Sequence, residues 1–389
     1  MTSQNKAKIA LVYELRSAYR ALGYTETQCK KFVVGSAAEF IAGALREHGH
    51  EVVLIPDHKS LISRLVAGEG ETWDMVFNTT EGVYGMAREA QVPALLETFQ
   101  IPFTFSNAAT MALCLDKAKT KMVLEYYGVP TAPFAVIQPS REKNLTPERV
   151  QTLLQRSPHA KSLNYPLFAK PVAEGSSDGI VGSNKANDPV ELCDIIAKTC
   201  AASPTCPDVI IESFLPGKEY TIAIMGTGDD AWVLGADEFI WREANPGAVV
   251  VNGLDGSSDP LLPFMTKNCK VSIALGGGQG VAQVKADMAR PEVQRACQVA
   301  LDAWKVLGCY DCGRVDVRLD STCVPCVMEI NPLAGLHPQK SELAAIARNQ
   351  GLAYDDLMEM IVQIALKRYG LGDCRKGVAQ VPGQGSSRL

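Results

Sequence analysis

The chain has 389 residues, 47% of them hydrophobic and 21% charged, with a formal net charge of −5. A single core stops growing at roughly 250–300 residues, so two or three domains are expected. The acidic balance argues against a nucleic-acid partner, and no stretch approaches the roughly 18 uninterrupted apolar residues of a membrane span.

The opening MTSQNKAK lacks the apolar core of a secretory signal, so a cytoplasmic location is expected. Apolar strands are predicted at 9–13, 51–55 and 75–78, with helical patterns at 36–48 and 92–99. Alternating strand and helix predict a small doubly wound α/β domain, with ligands at the carboxyl ends of its strands, near 13–16 and 78–88. A helix carrying Asp116, Lys117, Thr120 and Lys121 follows and is broken at Gly128-Val129-Pro130. The charged stretch 139–164 reads as a surface insertion. Next, Tyr165-Pro166-Leu167-Phe168-Ala169-Lys170-Pro171 is a strand that delivers a lysine, leading into the polar loop Glu174-Gly175-Ser176-Ser177-Asp178-Gly179 and a strand at 180–181. Backbone N–H groups and hydroxyls in such a loop can cover phosphates, although an ordinary hairpin turn reads the same way. Apolar strands at 209–213 and 219–225 are followed by a loop-rich, glycine-containing segment, 241–280.

The densest signal is Gly313-Arg314-Val315-Asp316-Val317-Arg318-Leu319-Asp320, followed by Met328-Glu329-Ile330-Asn331-Pro332. It predicts two alternating strands joined by a polar turn at Asp320-Ser321-Thr322, with Asp316, Glu329 and Asn331 as neighbours on one sheet face. Two carboxylates and an amide oxygen suit Mg²⁺ shared with substrate phosphates, and Arg314 adds a fixed cation. The plainer reading is a half-buried hairpin with solvated charges. Among twelve cysteines, Cys309-x-x-Cys312 and Cys323-x-x-Cys326 have the spacing of a zinc ribbon. A turn near Ser321 would set Cys312 and Cys323 roughly 20 Å apart at about 3.3 Å per residue, which favours reduced core thiols. A last amphipathic helix is expected at 357–369, followed by a frayed tail.

These blocks, in this order, resemble the D-alanine–D-alanine ligase branch of the ATP-grasp enzymes over about 75–369. The family's Asp-Lys and Thr-Lys helix motif appears as Asp116-Lys117 and Thr120-Lys121, and its lysine strand and serine loop as Lys170-Pro171 and 174–179. The resemblance implies an α/β ATP-grasp fold: an N-terminal doubly wound α/β domain (1–112), a central subdomain (113–216), a C-terminal subdomain with the metal and substrate site (217–375) and a flexible tail (376–389). It further implies that ATP phosphorylates a carboxylate and that an amine then displaces the phosphate. Lys117, Lys170, Glu174, Gly175, Ser176 and Ser177 would hold the phosphates. Glu212, Ser213, Phe214 and Leu215 would form the adenine hinge, and Glu219 would bind ribose. Two Mg²⁺ ions, for which Mn²⁺ can substitute, would sit on Asp316, Glu329 and Asn331. Arg314, the Gly335 N–H and Ser176 would be catalytic.

The substrate side departs from the family. Tyr13-Glu14-Leu15-Arg16 replaces its first-substrate pattern, and Glu81-Gly82 replaces its His-Gly loop. Arg88, ahead of Glu89, takes an acidic position. Its tyrosine-lysine loop is not recognisable between 237 and 262, and Leu336-His337-Pro338-Gln339-Lys340 replaces small, hydroxylated residues ahead of Ser341. Glu14, Glu81, Arg88, Trp241, Arg242, His337 and Ser341 are therefore candidate contacts to a small-molecule acid and amine. The plainer readings are that His337 is a loop residue and that Arg88 pairs with an acid. The expectation is a carboxylate–amine ligase with substrates other than two D-alanines, possible as a homodimer. A genuine D-alanine–D-alanine ligase, an inactive nucleotide-binding module and a carboxylase remain alternatives.

Overall fold

The computed structural model describes residues 6–29, 32, 36–142, 144–175, 184–203, 208–241 and 281–371. Three sheets organise them. The first is parallel, with β1 (Lys8–Val12) between β2 (Glu51–Ile55) and β3 (Met75–Asn78). β1 is buried along almost its whole length, as a central strand covered on both faces requires. The sequence-predicted strands and the helices at Ser36–Glu47 and Gln91–Thr98 are present. A further helix, His58–Val66, capped by Asp57 on the N–H of Ser60, was not read from the sequence.

The second sheet contains β4 (Phe134–Ile137), β5 (Leu167–Pro171), β6 (Lys185–Ala186) and β7 (Val209–Ser213), in the order β4-β7-β5-β6. Residues 139–164 are not a surface insertion. They form the helix Pro147–Gln155, which packs Val150 and Leu154 into this sheet's core together with Leu167 and Ile211. Its charges lie on the outer face of a two-faced helix, and in sequence they masked the apolar stripe.

The third sheet runs β10-β9-β8-β11-β12, all antiparallel. Its strands are β8 (Glu219–Met225), β9 (Trp232–Trp241), β10 (Val281–Lys285), β11 (Cys312–Leu319) and β12 (Pro325–Asn331). The predicted hairpin is β11–β12. Its turn is closed by Asp320, whose Oδ1 accepts the N–H groups of Thr322 and Val324 at 2.7 and 2.9 Å. Cys312 opens β11 and exposed Cys323 lies in the turn at its other end, so the strand separates the two pairs of thiols. At the start of β11, a Cβ on Gly313 would lie 2.5 Å from the Trp304 ring and 2.6 Å from the Asn331 carbonyl oxygen, so only glycine lets the helix Pro291–Val306 seat this closely.

One apolar cluster joins the first and third sheets through Leu11, Phe77, Leu343, Leu357 and Ile361. A polar clasp reinforces it. Arg368 donates to fully buried Asp311 through Nε and Nη2 at 2.9 and 2.8 Å, and Nη2 also donates to the Phe103 carbonyl. Asp311 Oδ2 also accepts the Phe105 N–H at 2.7 Å. Breaking a buried pair strands the remaining charge. Arg368→Met is therefore expected to lower unfolding free energy by about 3–5 kcal/mol, read from urea midpoints.

Candidate active site

The register of the third sheet sets the site. Asp316 stands opposite Glu329 and Arg314 opposite Asn331, and the pairing shifts immediately after Asp316. Alternation puts the four side chains on one face. Asp316 Oδ2 accepts from Arg314 at 3.0 Å and from the Asn331 amide at 3.3 Å. Its other oxygen is buried without a partner. A carboxylate oxygen left bare beside a second carboxylate and an amide is what an oxygen-seeking cation requires, so these residues fit Mg²⁺. Arg314 is buried, and its second arm pairs with Glu342. Burial alone would weaken its charge, but Asp316, Glu342 and Glu329 outweigh that and keep it ionised.

Lysines approach from the helix Lys117–Tyr126, which Asp116 caps by accepting the Lys119 N–H. Lys117 and Lys121, four residues apart, share one face. Lys117 pairs with Glu329 at 2.9 Å and donates to the Glu174 carbonyl at 2.6 Å. Lys121 and Lys170 grip Glu212 from both sides at 2.7 Å. Burial acts to raise the Glu212 carboxyl, but the two ammonium groups prevail and hold it down at about 2. Beyond this, Glu219 pairs with its cross-strand neighbour Arg318 at 3.0 Å. Phe214 receives Lys185 at 4.4 Å and Arg318 at 5.2 Å over its ring. The neighbouring Ser213 hydroxyl donates to the Ser162 carbonyl, and Leu215 is buried against Ala132 and Cys326.

A cavity of about 250 Å³ opens beside the metal-type cluster. Arg314, Glu329, Asn331, Gly335, Gly175, Glu81 and Ser341 all line it, so the structure brings together residues from five separate stretches of sequence. Glu14, Arg88 and His337 are not on its wall. Glu14 is buried and accepts from the N–H groups of Glu81 and Gly82 at 2.9 and 3.0 Å and from the Tyr19 hydroxyl at 3.1 Å. It therefore holds the Glu81 loop in place, and burial pushes its carboxyl up to about 7. Gly82 has φ +73°, and a Cβ there would meet the Arg88 carbonyl at 2.6 Å. Arg88 ties this loop to the Ala173 carbonyl and to Glu174, at 2.9 and 3.3 Å. His337 packs its ring edge-on against Phe40 and accepts the Gln339 N–H. Ser176, Ser177 and Arg242 lie outside the described residues, as do the strand read at 180–181, the loop to Gly280 and the tail. Trp241 ends β9, and its side chain is likewise outside them.

The sequence reading gave no site role to Lys121, Arg318 or three cavity residues, Glu89, Lys340 and Glu342. The last three are immediate neighbours of residues it chose, because a loop pattern does not reveal which of two adjacent side chains faces inward. The fourfold spacing of Lys117 and Lys121 was a usable signal. Among the described residues, no three His, Cys, Asp or Glu side chains gather as a metal set, so the Asn331 amide is needed to complete this one.

The family described as D-ala D-ala ligase C-terminus matches residues 123–363, more than half of the chain. The chain belongs to this family. A D-alanine–D-alanine ligase of Gluconobacter oxydans is 28% identical over 330 residues, covering 84% of this chain and 91% of the relative. An uncharacterized protein of Sinorhizobium fredii is 27% identical over 343 residues, covering 86% and 89%. The crystal structure of a Bacillus anthracis D-alanine–D-alanine ligase complexed with ATP superposes with TM-score 0.65 at 20% identity, over 95% of this chain and 100% of that one. The fold is thus the α/β ATP-grasp fold expected from the sequence, and the chain is an ATP-dependent ligase that forms carbon–nitrogen bonds. No described helix is long and apolar enough to cross a membrane.

Glu89 supplies a pH signature. Burial, then the like charge of Glu81, pushes its carboxyl up from 4.5 to about 8. The folded state therefore holds this proton more tightly than the unfolded chain. The resulting stabilisation is complete below about 4.5 and declines as pH rises toward 8. Glu89→Gln should flatten the fall of unfolding free energy between pH 5 and 8 by up to one proton's worth of slope, measured by denaturant titration across that range.

Proposed function

We infer that this ligase activates a carboxylic acid as its acyl phosphate and joins it to an amine. The reading rests on one observation: Arg314, Glu329, Asn331 and Gly335 converge on a single cavity, and Lys117 pairs with Glu329. A carboxylate oxygen attacks the γ-phosphorus of ATP and ADP leaves. The amine nitrogen then attacks the acyl carbon, and the C–O bond to phosphate breaks. Phosphoryl transfer needs mainly positioning and charge neutralisation, which Lys117 and Lys170 supply to the phosphates. Glu174, Gly175, Ser176 and Ser177 are assigned to the phosphates, and Ser176 is also assigned a catalytic part. The segment from Glu212 to Leu215 receives adenine and Glu219 the ribose. Asp316, Glu329 and Asn331 would hold Mg²⁺, which supplies charge neutralisation between phosphates when bound. Arg314 and the Gly335 N–H stabilise the oxyanion formed on amine attack.

The same proposal takes 1–112, 113–216 and 217–375 as the three domains, with a tail at 376–389, and a cytoplasmic location. It also takes the substrates to differ from two D-alanines, because the walls that meet them carry Glu81, Glu89 and Lys340. Synthesis of D-alanyl-D-alanine is the second reading, favoured by relatives of that name that span nearly the whole chain. Mg²⁺-dependent ADP release with D-alanine alone, then with pooled amino acids and small acids, with mass spectrometry of the product, separates the two. Turnover confined to the pool supports altered substrates. D-alanyl-D-alanine as the best product overturns that claim, and no ADP release with any pool overturns the ligation chemistry.

Two substitutions test the roles. Arg314→Lys keeps a charge but loses the fork, and kcat is expected to fall by about 10²–10³ with the KM for ATP changed only a few-fold. Asp316→Asn should raise the Mg²⁺ concentration needed for half-maximal rate at least tenfold, read from a metal titration of ADP release.

A further inference from the structure

Arg314 is the buried cation that an incoming carboxylate would seek in this cavity, and the chain already supplies it with acids. Its Nη1 pairs with Glu342 at 2.5 Å and its Nη2 with Asp316 at 3.0 Å. Arginine holds a carboxylate best through neighbouring N–H bonds of its planar fork. Here both terminal nitrogens are engaged before any substrate arrives. Glu342 is not part of the metal-type cluster, and Asp316 alone would balance the charge of Arg314, so the nucleotide chemistry gives this second acid no task.

Glu342 is held where it stands. Its side chain is only 18% exposed, and it is the first residue of the helix Glu342–Asn349. The N-terminus of a helix favours a negative group, and Glu342 is that group. At the other end of the helix, Asn349 donates to both carboxylate oxygens of Asp237 at 3.2 and 3.0 Å, and Asp237 is fully buried in β9. The segment leading into the helix is tied by Tyr354 on the Leu336 carbonyl at 2.8 Å and by Arg348 on the Pro338 carbonyl at 3.2 Å. An anion from solution could reach this part of Arg314 only by displacing a carboxylate whose helix is fixed at both ends.

The rest of the lining has the same sign. Among the described residues the charged side chains around the cavity are Glu81, Glu89, Glu329 and Glu342 against Arg314 and Lys340, four acids to two bases. Lys117 balances Glu329, and Lys340 is exposed, so water screens its charge. Resting on the ligase reading above, we propose that Glu342, by occupying Arg314, excludes acceptors that carry a carboxylate beside the reacting nitrogen, so that the acceptor is an amine without one. The ion pair leaves the guanidinium charged, and its remaining N–H bonds still serve the oxyanion. Selection of this kind works by repulsion and by the penalty of displacing an internal acid, not by a new attraction.

The test first establishes turnover of the wild type with ATP, Mg²⁺ and pooled small acids and amino acids, with hydroxylamine as a small nucleophile that traps the acyl phosphate as a hydroxamate and so identifies the acid. With that acid fixed, kcat/KM is measured for matched acceptors, each amino acid against its own amide, per concentration of unprotonated amine. The wild type is expected to favour the amide at least tenfold. Glu342→Gln should shrink that preference at least tenfold through a lowered KM for the amino acid, and Glu342→Asp should keep most of it. A wild type that is indifferent or prefers the amino acid overturns the assignment without any variant. So does an unchanged ratio in Glu342→Gln with kcat lowered alike for both acceptors, which would make Glu342 a support for Arg314 and nothing more. Loss of hydroxamate in Glu342→Gln also overturns it, giving the residue to activation of the acid. Absence of both hydroxamate and ADP in the wild type overturns the underlying ligase reading instead.

Discussion

The pairing of Asp316 with Glu329 across β11 and β12 is the constraint on which the rest of the site depends. Side chains alternate with period two, so a slip of one residue in this pairing would put Asp316 and Glu329 on opposite faces of the sheet. Two devices fix the register. Asp320 gathers two N–H groups to close the turn at one end, and Gly313 admits close packing of Trp304 at the other. The pairing irregularity after Asp316 leaves Met328 without its own partner, packed against Ala132, Leu215 and Cys326 beside the metal-type cluster. Bulges of this kind re-aim side chains beside functional sites.

Around this hairpin, cations and anions are already neutralised in pairs. Lys117 holds Glu329, Lys121 and Lys170 share Glu212, Arg318 holds Glu219, and Arg314 is divided between Asp316 and Glu342. Desolvating so many charges is costly, and apolar residues of the same volume would commonly stabilise a core as well or better. The arrangement makes sense as an exchange. In the proposed roles Lys117 rests on Glu329, a metal ligand, and Arg318 on Glu219, the ribose contact, so both cations are compensated before nucleotide arrives, and Lys121 and Lys170 are buried as partners of Glu212.

Much of this was legible in the sequence because local pattern and chemistry coincide there. Arg314, Asp316, Glu329 and Asn331 sit in strictly alternating strands, where spacing reports the face directly. Lys117 follows a capping Asp116, and Lys170 ends an apolar strand, so both could be placed without tertiary information. The helix Pro147–Gln155 was not legible, since its buried Val150 and Leu154 are diluted by charged residues that face water. Glu89, Lys340 and Glu342 eluded the reading for a different reason. Glu89 stands in a short helical turn, Lys340 in the loop after β12 and Glu342 at the start of a helix, and their surroundings are set by partners distant in sequence, such as Tyr354 on the Leu336 carbonyl and Arg314 on Glu342. Likewise Glu14, chosen as a substrate contact, is consumed by the backbone of a loop sixty-odd residues away.

The clasp between Arg368 and Asp311 bears on how such a chain can change. It reaches the first sheet only through the carbonyl of Phe103 and the carbonyl and N–H of Phe105, groups that every residue but proline possesses. The clasp thus recognises a path of main chain and is indifferent to the side chains at the two positions it touches, while the apolar cluster of Leu11, Phe77 and Phe105 fixes the rest of the joint. Side chains of the loop that carries Glu81 lie outside both, so its outward positions can change while the docking stays the same. That is a structural basis for diversifying what the enzyme ligates without disturbing how it uses ATP.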